Sequence, residues 1–161
     1  MSVIRSLGPI RFTILTLLAV MASTESFAQQ NMCDAVKSIT AAYASRNFSP
    51  LMGTKSGSNP GMNRTLFKGL IAPPQMSCTL VESIRSATNS ADYLYSCGYD
   101  LPSSAAVVAK AKELEKALEA CLAIKATSRD SYRGTEYELK GVRIIIRESG
   151  VPYGLDLDFR S

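Results

Sequence analysis

The chain of 161 residues contains no histidine and no tryptophan. Without histidine there is no Ser/His/Asp or Cys/His catalytic arrangement, no imidazole ligand for zinc, and no side chain whose ordinary pKa places a charge change near neutral pH. The cysteines are Cys33, Cys78, Cys97 and Cys121, and no two of them stand in a Cys-x-x-Cys pair. That spacing excludes a zinc ribbon and a thioredoxin-like redox site. Nucleophile and phosphate motifs are missing as well. Gly53 to Gly57 reads Gly-Thr-Lys-Ser-Gly, which puts lysine where a nucleophile elbow needs serine and lacks the Gly-x-x-x-x-Gly-Lys order of a phosphate loop. No serine stands three residues before a lysine. No cofactor and no metal are expected.

Long apolar runs are also scarce. The longest, Phe12 to Ala22, follows Arg5 and Arg11 and precedes a small-x-small site at Ser26, Phe27 and Ala28, the pattern of an export signal. Its length falls well short of the roughly 20 residues needed to cross a bilayer, so cleavage is preferred to a retained anchor. A lipoprotein anchor is disfavoured because Cys33 lies behind Gln29, Gln30, Asn31 and Met32. The expected organisation is a cleaved signal, 1–28, and one exported domain, 29–161, with a second cut conceivable after Ala22. Removing Arg5, Arg11 and Glu25 takes the formal charge from +4 to +3. That is too small and scattered to argue for nucleic acid, and it suits solubility or weak contact with an anionic envelope surface. Export to the periplasm or beyond the cell would turn the cysteines into two disulfides.

Within 29–161 the patterning is mixed. Cys33, Val36, Ile39 and Tyr43 recur at helical spacing behind Asn31, predicting a helix over Met32 to Arg46. Phe48 to Thr54 reads as a short strand made irregular by Pro50, Lys55 to Arg64 as a loop, and Leu66 to Ile71 as another strand. Ser77 to Arg85 and Ala91 to Tyr99 alternate as an antiparallel pair, in a register that opposes Ile84 with Ala91, Leu80 with Tyr95, and Cys78 with Cys97. Ser104 to Leu122 carries an apolar stripe of Val107, Ala111, Leu114, Leu118 and Cys121 opposite Lys112, Glu113, Lys116 and Glu119, predicting a core-facing helix. After a polar segment, Thr127 to Thr135, a terminal hairpin is expected to turn tightly at Ser149 and Gly150. That turn pairs Glu148 with Val151, Ile146 with Tyr153, Ile144 with Leu155 and Val142 with Leu157, and places Arg143 opposite Asp156.

The order predicts an α+β fold, a two-layer sandwich in which an antiparallel sheet of about four to six strands carries two helices on one face. A helix followed by strands, then again, hints at a duplicated unit without sequence identity. Cys121 lies near the far end of a helix that starts where the Cys97 strand ends, about 27 Å along at 1.5 Å per residue. Bonded cysteines need Cα atoms within about 7 Å. The predicted disulfides are therefore Cys33 with Cys121 and Cys78 with Cys97.

Candidate functional residues are few. Tyr93, Tyr95 and Tyr99 share a strand face and tyrosine suits interfaces, although packing beneath the long helix accounts for them equally simply. Lys55, Arg64 and Lys68 flank a glycine-containing segment that could present a binding surface or merely connect strands. Glu136 with Glu138, and Asp156 with Asp158, are the only paired carboxylates placed for acid/base work; exposed strand faces carry such pairs routinely. The expectation is a small exported, non-enzymatic protein that binds another macromolecule, a protein or envelope component and not nucleic acid, in an inhibitor, immunity-like or envelope-accessory role. The alternatives are a secreted hydrolase using the paired carboxylates and a small apolar-ligand carrier.

Overall fold

The computed structural model describes residues 30–85, 88, 90–130, 134–149 and 153–161; the expected export signal, 1–28, lies outside the described residues. Helix α1 runs over 30–45 and buries Met32, Ala35, Val36, Ile39, Ala42 and Tyr43 on one face. The buried Thr40 returns its hydroxyl proton to Val36 O at 2.8 Å, so no polar group is stranded on that face. Arg46, at φ +52°, ends the helix in the left-handed conformation. Helix α2, Ser104–Leu122, matches its predicted bounds. Ser103 caps it by accepting the Ala106 N–H at 3.2 Å, and Val107, Leu114 and Leu118 are its buried stripe.

Between and after the helices lie eight strands: β1 Met52–Asn59, β2 Arg64–Gly69, β3 Ser77–Arg85, β4 Ser90–Asp100, β5 Ser128–Asp130, β6 Gly134–Leu139, β7 Val142–Glu148 and β8 Gly154–Arg160. They form one antiparallel sheet in the order β1-β2-β3-β4-β8-β7-β6-β5. Each helix is therefore followed by a four-stranded meander, and the two meanders join through β4 and β8. The α+β class, the antiparallel sheet and both disulfides are as predicted, with Cα atoms 5.3 Å apart for Cys33–Cys121 and 4.0 Å for Cys78–Cys97. The sheet is larger than the expected four to six strands.

The strands beyond those expected are β5, which has no apolar residue, and β6, where Thr135, Tyr137 and Leu139 alternate with Glu136 and Glu138. Lys55 to Arg64, expected as a loop, instead supplies most of β1, a short 3-10 turn at Pro60–Met62 and the start of β2. Phe48 to Thr54 is split, because Pro50 favours a 3-10 turn at Ser49–Leu51 before β1 begins. The polar stretch at Thr127 contains β5. The β3/β4 register is as predicted, from Ile84 opposite Ala91 to Cys78 opposite Cys97.

The terminal hairpin is displaced. Ile144 faces Phe159, Ile146 faces Leu157, Arg147 faces Asp156, and Arg143 faces Arg160 where Asp156 was expected. Glu148 pairs with Leu155 where Val151 was expected, and residues 150–152, on which the tight turn was placed, lie outside the described residues; proline in that stretch disfavours a central strand running through it. The ladder closes later, through Ser149 N–H to Gly154 O at 3.0 Å, and Leu101 N–H donates to Tyr153 O to tie this end to β4. Since β8 slides by an even number of residues, every apolar side chain keeps its face and only the partners change.

One face of the sheet, carrying Leu80, Tyr95, Cys97, Tyr137, Ile144, Ile146, Leu157 and Phe159, forms a single core with both helices. Tyr43 is its anchor. Its hydroxyl donates to Phe159 O at 2.6 Å and accepts the Tyr95 N–H at 2.7 Å, relaying the ladder bond between β4 and β8. Burial pushes the phenol well above its usual pKa, so it stays a donor.

Tyr43→Phe strands that amide and that carbonyl in the core and is expected to cost about 1–3 kcal/mol in urea unfolding. The sequence separations of 88 and 19 residues rank the staples. Replacing Cys33 and Cys121 by alanine should cost about 4.5 kcal/mol, against about 3 kcal/mol for the Cys78, Cys97 pair; chain entropy predicts that order, and the reverse order in paired denaturation curves refutes it.

Candidate interaction surface

The other face of the sheet has no helix on it among the described residues. Directly opposed residues share a face, so the register gives its rows. One row runs across seven strands as Gly57, Leu66, Val81, Leu94, Arg160, Arg143 and Glu138. The next reads Lys68, Thr79, Ser96, Asp158, Ile145 and Glu136. Leu66, Val81 and Leu94 are half-buried and lie side by side, outside the cluster that forms the core. An aliphatic strip three strands wide thus ends in two arginines facing each other.

Like charges directly opposed across a ladder destabilise it. Here Arg160 is partly neutralised, because its Nη2 lies 3.0 Å from Asp158 Oδ2, and Arg147 Nη2 lies 3.0 Å from the same oxygen. Asp158 is 0% exposed although its face has no helix above it. Its Oδ1 has no hydrogen-bond partner in the protein, nor do the buried Nε atoms of Arg147 and Arg160. Asp156 Oδ2 lies 4.0 Å from the same Arg147 guanidinium, so two carboxylates face two guanidiniums. Arg143 is exposed, has no ion-pair partner among the described residues, and adds a positive charge to the patch. Asp156 sits beside the group, and burial together with Asp158 raises its pKa against the lowering pull of Arg147.

The candidate residues read from the sequence divide between the two faces. Tyr95 is fully buried on the core side, where its hydroxyl donates to Ile71 O at 2.6 Å. Tyr93 stacks on Phe48 with ring centroids 4.0 Å apart and donates to Glu82 at 2.9 Å. Tyr99 is buried beside α2 and donates to Pro74 O at 3.0 Å. Burial raises all three phenol pKa values. Lys55 opposes Phe67 and so takes the core side of β1, whereas Arg64 and Lys68 lie on the uncovered face beside Leu66. Arg64 and Lys68 therefore join the strip, and the tyrosines do not.

The four carboxylates of the hydrolase alternative, Glu136, Glu138, Asp156 and Asp158, are all on the uncovered face, with Ile145 and Arg147 of β7 between the pairs. Asp158 is committed to two arginines, and neither of the two grooves beside α2 is lined by any of the four. Arg143, Arg147 and Arg160 escaped the sequence reading because the hairpin register was displaced. A signal was present for the other end of the strip: between Asp34 and Glu82 there is no acidic residue, while Lys37, Arg46, Lys55, Arg64 and Lys68 are all basic.

Asp156 offers a test of the charge arrangement. Its raised pKa means that the folded chain holds that proton to higher pH than the unfolded chain, whose value is about 3.9. Stability therefore falls as pH rises through the window between the two values. Asp156→Asn should be more stable than the parent at pH 7, with the advantage fading as pH drops below about 4 in urea midpoints; a variant that is weaker at pH 7 shows that the Arg147 contact dominates. Compared with known proteins, the chain matches no family model, no curated protein and no solved structure.

Proposed function

We propose that this chain is an exported, non-enzymatic protein that binds another protein across its uncovered sheet face. The observation that carries the reading is the row Leu66, Val81, Leu94, Arg160 and Arg143. The cores of interfaces are apolar and arginine is enriched in them, and this row supplies both on a face that carries no helix among the described residues. Charges of both signs alternate there, with Asp156, Asp158, Glu136 and Glu138 among the arginines. A uniform polyanion such as nucleic acid or an anionic membrane would meet those carboxylates as well as the guanidiniums. A folded protein with its own mixed surface fits the pattern better.

Several features support the non-enzymatic part. The chain has no histidine, and the most buried carboxylate is already shared by two arginines. The two disulfides and the leader pattern favour an oxidising compartment, the periplasm or the outside of the cell. Inhibitor, immunity-like and envelope-accessory roles all use a surface of this kind.

The test is site-specific cross-linking in cells that make the chain naturally. A photo-reactive phenylalanine analogue in place of Val81 should give one discrete protein adduct, and the same analogue in place of Val108 on exposed α2 should not. Arg143→Glu should reduce the adduct at least about tenfold, the loss of one charge-assisted contact. No adduct at position 81, or equal adducts from both positions, overturns the reading.

A further inference from the structure

A different part of the molecule, on the helix side, has the form of a small-ligand site. A groove of about 540 Å³ runs between α2, the start of α1 and the turn at Pro74 and Gln75. Its volume lies within the usual range for organic ligands, about 300–1,000 Å³. Met32, Tyr99, Leu114 and Ala117 make an apolar floor, and Lys110, Glu113 and Lys116 stand along one wall.

The walls are fixed. Met32 and Ala120 adjoin the Cys33–Cys121 disulfide, and Met76 and Tyr99 each lie two residues from a partner in Cys78–Cys97. The turn closes through Met76 N–H to Pro73 O at 3.1 Å, and Tyr99 holds it by its bond to Pro74 O. Gln75 occupies the third position of that turn at φ +64°, where glycine or asparagine is the unstrained choice.

The electrostatics select the ligand. Lys110 Nζ lies 2.7 Å from Glu113 Oε1 and 5.0 Å from the centre of the Tyr99 ring, so its charge is largely answered. Lys116 has no ion-pair partner among the described residues. The wall therefore carries one unmatched positive charge above an apolar floor. A second groove, of about 560 Å³, shares Lys116 and Ala120 and also holds Lys112; Arg129 and Lys125 there lie against Glu115 and Glu119, and it differs in its floor, which has Ala123 and Ile124 where the first groove has Met32, Tyr99 and Leu114.

We propose that the groove between α2 and the Pro74 turn binds a small amphipathic anion, with its apolar body on Met32, Leu114 and Ala117 and its anionic head at Lys116. None of these residues belongs to the uncovered sheet face, so this site and the protein-binding reading stand or fall separately.

Two fluorescent probes of nearly the same shape test it on the intact, disulfide-bonded protein. Anilinonaphthalene sulfonate has an apolar body and a negative head, and phenylnaphthylamine has the body alone. The sulfonate should bind saturably at one site per chain and about tenfold more tightly than the neutral probe, as one charge-assisted contact implies. Lys116→Glu should remove that tenfold difference and leave the neutral probe unchanged. Ala117→Phe should fill the groove and abolish both signals while the circular dichroism spectrum and melting temperature remain those of the parent. Unsaturable binding, equal affinity for the two probes, or full sulfonate binding by Lys116→Glu overturns the proposal. Lys112→Glu, in the second groove alone, should leave sulfonate binding unchanged, so the two lysine variants together decide the matter even if Ala117→Phe fails to fold.

Discussion

Within the sheet a single ladder, β4 against β8, joins the two meanders. Seven residue pairs from Leu94/Arg160 to Asp100/Gly154 carry it, and every other strand pairing lies within one meander or the other. The core needs that ladder in register, since a one-residue slip would turn Leu155, Leu157 and Phe159 away from the helices. Tyr43 reaches from α1 into the same seam and supplies one of its bonds. The proposed binding strip depends on the seam too, because Leu94 is on β4 and Arg160 on β8. One pairing thus sets both the inside and the outside of the molecule.

What could be read from the sequence follows the strength of apolar patterning. Helix α2, with its stripe and its Ser103 cap, and the β3/β4 hairpin, with alternation on both strands and a cysteine at matching positions, were legible down to the residue. The pairing of Cys33 with Cys121 followed from helix length, which excludes Cys97 with Cys121, together with the strand register that sets Cys78 opposite Cys97. Strands β1 and β5 were not legible. Thr54 to Asn59 and Ser128 to Asp130 contain no apolar residue, so their extended form comes from neighbours that offer hydrogen bonds and not from burial. In the terminal hairpin the apolar period gave the faces correctly, but only the turn chemistry around Pro152 gives the partners. That difference hid the Arg143, Arg160 and Asp158 grouping. Alternation says which side chains share a side; it does not say which of them touch.

The two faces of the sheet are held by different means. On the helix side, burial is reinforced by both disulfides, and the groove beside α2 is bounded by covalent links. On the other side no cysteine is present, and order comes from the ladder and from ion pairs such as Arg147 with Asp158. A ligand in the groove meets a rigid frame, whereas a partner on the open face meets long guanidinium side chains that can adjust.

The outermost strands set a limit on how this chain meets others. An open sheet ends in rows of unpaired amides and carbonyls, which invite further strands to add. At one border the register of β1 shifts twice, between Met52 and Lys55 and again between Lys55 and Gly57, which breaks the regular spacing of those groups. At the other border β5 is three residues long, with every residue exposed. Neither offers a straight template of useful length. Growth of the sheet into fibrils or strand-swapped chains is therefore disfavoured at both ends. Any specific association of this molecule has to be made by side chains.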